Sequence, residues 1–321
     1  MSSALFFRAL SGVGLINRLS VMIFHRVHAA PDELFPTEPD AVAFESHMRW
    51  LRDCFNILPL AEALQALQCG KLPPRAMAIT FDDGYADNHD VAMPILKRLN
   101  LSATFFVSTG FLDGGRMWND SLIETVRRAG SSTLDASAVG LPALAIGSVV
   151  EKRAAIGALI GKTKYLPIAE RLDRVAGIAS TAKVELPRDL MMTSVQVRAL
   201  RRSGMSIGAH TVNHPILASV DAETARREIS EGREALEAIL GERIGLFAYP
   251  NGRPNTDYRA EHVEMVRELG FDAAVSTAAG AAAMADDLFQ LPRFTPWQWQ
   301  RMRASMLLAR NMMQGPRALA A

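Results

Sequence analysis

The chain has 321 residues, of which 49% are hydrophobic and 21% charged, and a formal net charge of +1. That length holds one large domain or two small ones, and the composition is that of an ordinary globular protein. The near-zero charge, with no basic run interleaved with aromatics, excludes a nucleic-acid surface as the organising feature.

From the N-terminus, the apolar run Ala4 to Val27 is broken by Arg8 and Arg18, so it does not read as a membrane span. It lacks a basic leader and a cleavage site, so it does not read as an export signal either. The expectation is an amphipathic entry helix, no integral membrane segment and a cytoplasmic location. Leu19 to Phe24 reads as a first strand that ends at His25-Arg26. A lone His after an apolar strand is more often structural than functional. A loop from His28 to Pro39 follows. Phe44, Met48, Leu51 and Phe55 recur at helical spacing, as do Leu60, Leu64 and Leu67, with the short strand Ile57-Leu58 between them. The two cysteines, Cys54 and Cys69, leave reduced and paired states both open.

After Pro73-Pro74, Ala76 to Ile79 reads as a buried strand running into Thr80-Phe81-Asp82-Asp83-Gly84-Tyr85. Neighbouring side chains in a strand point to opposite faces, but at a strand end followed by Gly that rule relaxes. Two carboxylates can then approach one site, where they cannot both ionise without help. A metal cation, or a split between ligand and base, resolves the conflict. Asp87 to Leu99 reads as a helix interrupted or restarted at Pro94, and Ala103 to Val107 as a strand, so the order is that of parallel βα units.

Asp113 to Arg188 differs. Helices are expected over Trp118–Ala129, Glu151–Ile160 and Pro167–Ala179, with an irregular Ala/Ser/Gly-rich stretch from Gly130 to Gly147. This is a mostly helical insertion, with a substrate groove or lid and a plain packing layer as equal alternatives. The βα pattern resumes with a helix over Ser194–Gly204 and a strand over Met205–Ala209 that delivers His210-Thr211-Val212-Asn213-His214-Pro215. Pro215 disfavours helix at His214, so the two imidazoles belong to a tight loop at a strand end. Two imidazoles and one carboxylate suit zinc or another borderline divalent ion. A helix over Asp221–Leu240, strands over Ile244–Tyr249 and Phe271–Ser276, and a helix over His262–Leu269 follow. Phe289 to Arg293 is a last extended piece before Trp297, Trp299 and a terminal helix.

Thr80-Phe81-Asp82-Asp83-Gly84-Tyr85 together with His210-Thr211-Val212-Asn213-His214 resembles the polysaccharide deacetylases, the NodB-homology domain of carbohydrate esterase family 4. Phe247-Ala248-Tyr249-Pro250-Asn251-Gly252 is similar to that family's third motif. The resemblance runs from about Met22 to Trp297, apart from the insertion. It implies an α/β fold, a distorted (β/α) barrel with the site at the C-terminal ends of its strands. Its expected organisation is an N-terminal strand and helices packed on the barrel (1–75), the barrel itself (76–300) with the insertion at about 113–190, and a C-terminal helix or tail (301–321). It implies Asp82 as general base and Asp83, His210 and His214 as ligands of one divalent ion, most suitably zinc. The backbone N–H of Tyr249 would help hold the oxyanion, and the products would be an amine on an amino sugar and acetate.

The chain departs from the family pattern at three places. Leu246 stands where the family has an Arg that tethers the base. Leu291-Pro292-Arg293 stands where the family has Leu-x-His, whose His is the general acid. An arginine stays protonated and donates poorly, so Arg293 is expected to tether Asp82 or bind substrate. His25 is then the candidate acid by elimination, ahead of His89 and His262, and relatives also carry a His after an N-terminal strand. The family's Asp-x-x-Asp-Trp motif is not visible; Phe271-Asp272-Ala273-Ala274 occupies its region. Tyr85, Trp118, Trp297 and Trp299 are candidate sugar contacts, although large aromatics usually fill cores. The leading expectation is a metal-dependent hydrolase that removes N-acetyl groups from an amino-sugar glycan. The same site on a small non-sugar amide, and a degenerate carbohydrate-binding protein, are the alternatives.

Overall fold

The computed structural model of the protein describes residues 17–295, 301–315 and 319–320. The expected entry helix before Asn17, and Trp297 and Trp299, lie outside the described residues. Strands β1 (Arg18–Phe24), β2 (Asn56–Ile57) and β3 (Ala76–Phe81) are separated by helices α1 (Ala41–Cys54) and α2 (Leu60–Gln68). A π-helical turn, Asn88–Ala92, leads into α3 (Met93–Arg98), with Pro94 in the first turn where its missing N–H costs nothing. Next come β4 (Thr104–Val107) and α4 (Trp118–Arg128). The stretch expected to be irregular contains a small hairpin, β5 (Thr133–Leu134) and β6 (Leu144–Ala145). Helices α5 (Val149–Thr163), α6 (Ile168–Thr181) and α7 (Ser194–Arg202) precede β7 (Ser206–Ala209). The chain continues through α8 (Ala222–Leu240), β8 (Leu246–Ala248), α9 (Ala260–Glu268), β9 (Ala273–Val275), β10 (Ala282–Ala283) and α10 (Arg301–Met312).

The main sheet runs in the order β10-β1-β3-β4-β7-β8-β9, with β2 beside β3. All its pairings are parallel except β1 with β10. Residues 291–294 link its two ends. Leu291 pairs with Val275 of β9, and Phe294 with Met22 of β1. The result is the expected distorted barrel. β1 is one of its staves, paired in parallel with β3.

Period 2 divides each strand between two cores. Met22 and Phe24 of β1, Met77, Ile79 and Phe81 of β3, and Phe247 of β8 face outward against the helices. There Phe81 stacks on Phe105 with centroids 4.7 Å apart. Leu19 and Val21, Ala76 and Ala78, Phe106, Leu246 and Ala248, and Ala273 and Val275 face inward, joined by Leu60, Leu64 and Leu67 of α2. The insertion has a core of its own, including Leu122, Val126, Leu159, Val175 and Ile178. Among the described residues no helix is long and apolar enough to cross a membrane. Cys54 is buried, Cys69 is exposed, and neither is in a disulfide.

Gly208 sits on the inward row of β7, where a Cβ would stand 2.4 Å from Cδ1 of Phe106. Gly161 on α5 has open space around its missing Cβ. Gly208→Ala should therefore destabilise the protein by about 1–3 kcal/mol through overpacking. Gly161→Ala should stabilise it by roughly 0.5–1 kcal/mol. Denaturant melts check both, and equal effects at the two positions would contradict the packing described.

Candidate active site

The inward rows of the barrel continue past the strand ends into one cavity. Ala76 and Ala78 of β3 are followed two residues at a time by Thr80 and Asp82, and Leu19 and Val21 of β1 by Ile23 and His25. Gly208 is followed by His210 and Val275 by Thr277, while Leu291 is followed by Arg293 behind the wall. Asp82, His25, His210 and Thr277 all line a cavity of about 260 Å³, together with Asp83 and His214.

Asp83 has the opposite parity and reaches the same place because its backbone turns. Its φ is +76°, in the left-handed region, and Gly84 follows at +92°. Such a conformation is uncommon for a residue with a side chain and costs about 1–3 kcal/mol. Thr211 (φ +64°) and His214 (φ +51°) are held in the same region. The cost at three neighbouring positions is the mark of a functional site.

Asp82 is gripped by Arg293. Nη1 and Nη2 of Arg293 donate to Oδ1 and Oδ2 of Asp82, each at 2.7 Å, in a two-pronged pair whose side chains are 0% and 3% exposed. Nε of Arg293 donates to the Ser276 carbonyl at 2.8 Å, and Nη1 also reaches Oγ1 of Thr80. Burial alone would raise the pKa of Asp82, but the guanidinium, with His210 beside it, outweighs burial and holds the carboxyl below its usual range.

Oδ1 of Asp83 lies 3.4 Å from Nε2 of His210 and 3.4 Å from Nε2 of His214. The three ligand atoms fall within 4.8 Å of one another. Oδ1 of Asp83 is buried and accepts no hydrogen bond, which is costly unless a cation completes it. A tetrahedral ion with bonds of about 2.0–2.1 Å would have ligand atoms ~3.3–3.4 Å apart, so the two Asp83–imidazole separations and the donor set fit a divalent metal. Nδ1 of His210 donates to the Ala248 carbonyl at 2.7 Å, which leaves Nε2 as the free lone pair on the cavity side. Burial pushes His214 down to about 4, so its imidazole is neutral at neutral pH, as a ligand must be. For His210, burial acts downward but Asp83 and Asp82 outweigh it and the shift is upward. For Asp83, burial acts upward and the two imidazoles outweigh it, so the carboxylate stays ionised.

A family model described as polysaccharide deacetylase matches residues 70–138 and 168–274, more than half of the chain. The chain belongs to the polysaccharide deacetylase family. Membership makes it a hydrolase acting on carbon–nitrogen bonds, with an acetylated polysaccharide as its substrate class. YxkH of Bacillus subtilis (strain 168), which bears a polysaccharide deacetylase name, is 21% identical over 278 residues, 86% of this chain and 70% of its own. A poly-beta-1,6-N-acetyl-D-glucosamine N-deacetylase of Staphylococcus aureus (strain N315) is 36% identical over 81 residues, 25% of this chain and 28% of its own. Among solved structures, the Streptococcus pyogenes deacetylase PplD in complex with acetate has a TM-score of 0.60 at 21% identity, covering 92% of this chain and 98% of PplD. IcaB from Ammonifex degensii has a TM-score of 0.57 at 19% identity, covering 92% of this chain and 97% of its own. At these identities the structural likeness is one of fold.

The structure sorts the remaining candidates of this deacetylase. Tyr249 does not reach the cavity. Its amide donates to the Val275 carbonyl at 3.2 Å, its ring stacks on Tyr258 at 4.0 Å, and its hydroxyl donates to the Phe289 carbonyl. Its side chain has the outward parity of Phe247, and its amide, the group expected to hold the oxyanion, donates within the sheet. Asn251, two residues on, lines the cavity instead. Tyr85 is buried behind the wall, its hydroxyl donating to Asp120 at 3.2 Å and its ring 4.6 Å beneath the Arg26 guanidinium. That placement makes it a packing residue rather than a sugar contact. Trp118 does line the cavity, and Trp297 lies outside the described residues. His89 pairs with Asp90 at the surface, and Nδ1 of His262 accepts from the Arg259 amide at the start of α9. Asp272 pairs with Arg243 at an exposed site. None of these three is at the cavity.

One residue that the motifs pass over organises the His loop. Glu228 of α8 is buried, and its carboxylate accepts from the amides of Val212 (3.0 Å) and Asn213 (2.7 Å) and from Nδ2 of Asn213 (2.8 Å). Gly232, one turn on, lets α8 press against Thr211, where a Cβ would stand 2.7 Å from its carbonyl carbon. A Glu within the apolar stripe Ala225, Ile229, Leu236 is the signal in the sequence that marks this role. Glu228→Ala should leave the fold intact and weaken divalent-metal affinity about 10–100-fold, the usual cost of losing a group that orients ligands. Competition with a chromophoric chelator measures it, and unchanged affinity would show that the His loop holds its shape without Glu228.

Proposed function

We propose that the protein removes N-acetyl groups from amino sugars of a polysaccharide or glycan precursor, using one divalent ion, most suitably zinc. The observation that carries the reading is the meeting of two separate devices in one cavity: Asp83, His210 and His214 around a common point, and Asp82 held ionised by Arg293. Asp83, His210 and His214 would hold the ion. When bound, the ion supplies Lewis acidity at the acetamide carbonyl and at the attacking water.

The chain's own residues then divide the proton work. Asp82 accepts the proton of the water as its oxygen attacks the carbonyl carbon. Arg293 keeps that carboxylate ionised and fixes its direction, the role that an Arg at position 246 would otherwise have. His25, on the inward row of β1 and on the cavity wall, donates the proton that the leaving nitrogen needs. The C–N bond breaks, and acetate and a free amine result. The cavity is smaller than the roughly 300–1,000 Å³ of drug-sized sites, so it takes one sugar at a time and leaves the rest of the chain outside. The Staphylococcus aureus relative, by name an N-deacetylase of poly-beta-1,6-N-acetyl-D-glucosamine, supports an N-acetylglucosamine polymer as the first substrate to try.

Acetate release from N-acetylglucosamine oligomers, measured beside metal content, tests the roles together. Asp82→Asn should keep the metal and lose about 10²–10⁴-fold in turnover, the usual worth of general-base catalysis. Asp83→Asn should lose the metal first. His25→Ala should keep the metal and lose more turnover on the amide than on an activated acetate ester, whose leaving group needs no proton. The opposite pattern in the two Asp variants would exchange their roles, and an unchanged amide-to-ester ratio would remove His25 from the reaction.

A further inference from the structure

The cavity has two walls of different origin. One is the ring of strand ends. The other comes from the helical insertion, with Trp118 and Asn119 at the start of α4, Ile160 and Lys164 at the end of α5, and Arg171 near the start of α6. The insertion is therefore part of the site and not only a packing layer.

Arg171 is the unusual member of this wall. It is 4% exposed. Its Nη1 donates to the Lys164 carbonyl at 3.3 Å, and its guanidinium lies 4.8 Å over the Trp118 ring. Its Nε–H is buried with no hydrogen-bond partner. No carboxylate among the described residues acts on it, and burial alone lowers its pKa. A desolvated cation without a counter-charge is costly, and the start of a helix, with its partial positive charge, adds to that cost. The two cavity carboxylates serve elsewhere: Asp82 is paired with Arg293, and Asp83 faces the two imidazoles of the metal site. Lys164, whose Nζ lies 5.6 Å over the Tyr165 ring, brings a second cation to the same wall and forms no ion pair among the described residues.

We propose that Arg171 and Lys164 form a subsite for an anionic group, a phosphate or a carboxylate, carried by the substrate beside its acetylated sugar. A guanidinium grips either oxyanion through paired N–H donors, and a neighbouring ammonium adds a point charge. The Trp118 ring keeps the guanidinium plane in place. Asn119, whose buried Oδ1 also lacks a partner, is set to accept from a sugar hydroxyl on the same wall. The substrate is thus an amino-sugar glycan that carries an anionic group within reach of its acetylated sugar. This inference rests on the deacetylase reading above.

Calorimetric binding to the metal-loaded protein tests it. The ligands are N-acetylglucosamine, N-acetylglucosamine 1-phosphate and a disaccharide of N-acetylglucosamine with glucuronic acid. Each is measured with the unmodified protein, Lys164→Ala and Arg171→Gln. At least one anionic ligand should bind about tenfold or more tightly than the neutral sugar, as expected for hydrogen bonds to charged groups. The advantage should shrink with salt and be lost in both variants. The tighter of the two anions identifies phosphate or carboxylate as the natural group. Equal affinity for all three ligands, or a preference that survives both substitutions, overturns the proposal. Lys164 is only half-buried, so Lys164→Ala decides the matter where Arg171→Gln fails to fold. Acetate release from the same ligands tests the underlying reading separately. Selective anion binding without any release removes the deacetylase reading and leaves the subsite. Release without anion preference removes the subsite alone.

Discussion

Between β9 and β1 a four-residue extended segment is stitched to both strands, and it carries Arg293 into the barrel behind Asp82. An ionised carboxylate and a guanidinium are both expensive to bury, and removing one partner of such a pair typically costs about 3–5 kcal/mol. The pair therefore joins closure of the barrel to the ionisation state of the base. If the last stave slips, the base loses its counter-charge. If the base is lost, the stave keeps a buried cation. Metal ligation is a separate arrangement, built on β3 and β7 and braced from outside by Glu228. The two devices share a cavity and the end of β3, where Asp82 and Asp83 are neighbours, but Arg293 and the His loop are supported separately.

The chain differs from its family's usual pattern at the tether and at the acid, and the proposed reaction accommodates both. The tether has moved from the place of Leu246, now part of the inner apolar core, to Arg293 on the closing segment. Arg293 replaces a His in the family's Leu-x-His pattern, so gaining a tether there removes the ordinary acid. His25 follows β1 level with Asp82 on the neighbouring strand, and in the proposed reaction it gives the leaving nitrogen its proton.

Much of this was legible in the sequence, and the period-2 rule carries far. The motifs marked Asp82 and elimination marked His25, and the structure shows both on the inward parity of their strands, as it does Thr277, which no motif marked. The same rule places the ring of Tyr249 with Phe247, facing the helices. Asp83 defies the rule through a left-handed backbone that only the following Gly hints at. Arg293 was legible as one of two alternatives, tether or substrate contact, because pairing between residues 211 positions apart depends on how the barrel closes. Glu228 and Arg171 were missed for a different reason. Each is a charged residue on an otherwise ordinary amphipathic helix: Glu228 could have been noticed within its apolar stripe, but what either side chain meets depends on tertiary packing.

The central claim is that Arg293 keeps Asp82 ionised for base catalysis, and the pH dependence of kcat/KM tests it most directly. The acid limb of the profile is compared between the unmodified protein and Arg293→Gln, both loaded with metal and matched for metal content. Because Arg293 lowers the pKa of Asp82, removing its charge raises that pKa, and the acid limb should move to higher pH while metal stoichiometry stays the same. An acid limb that does not move, in a variant that still folds and holds its metal, would contradict the account.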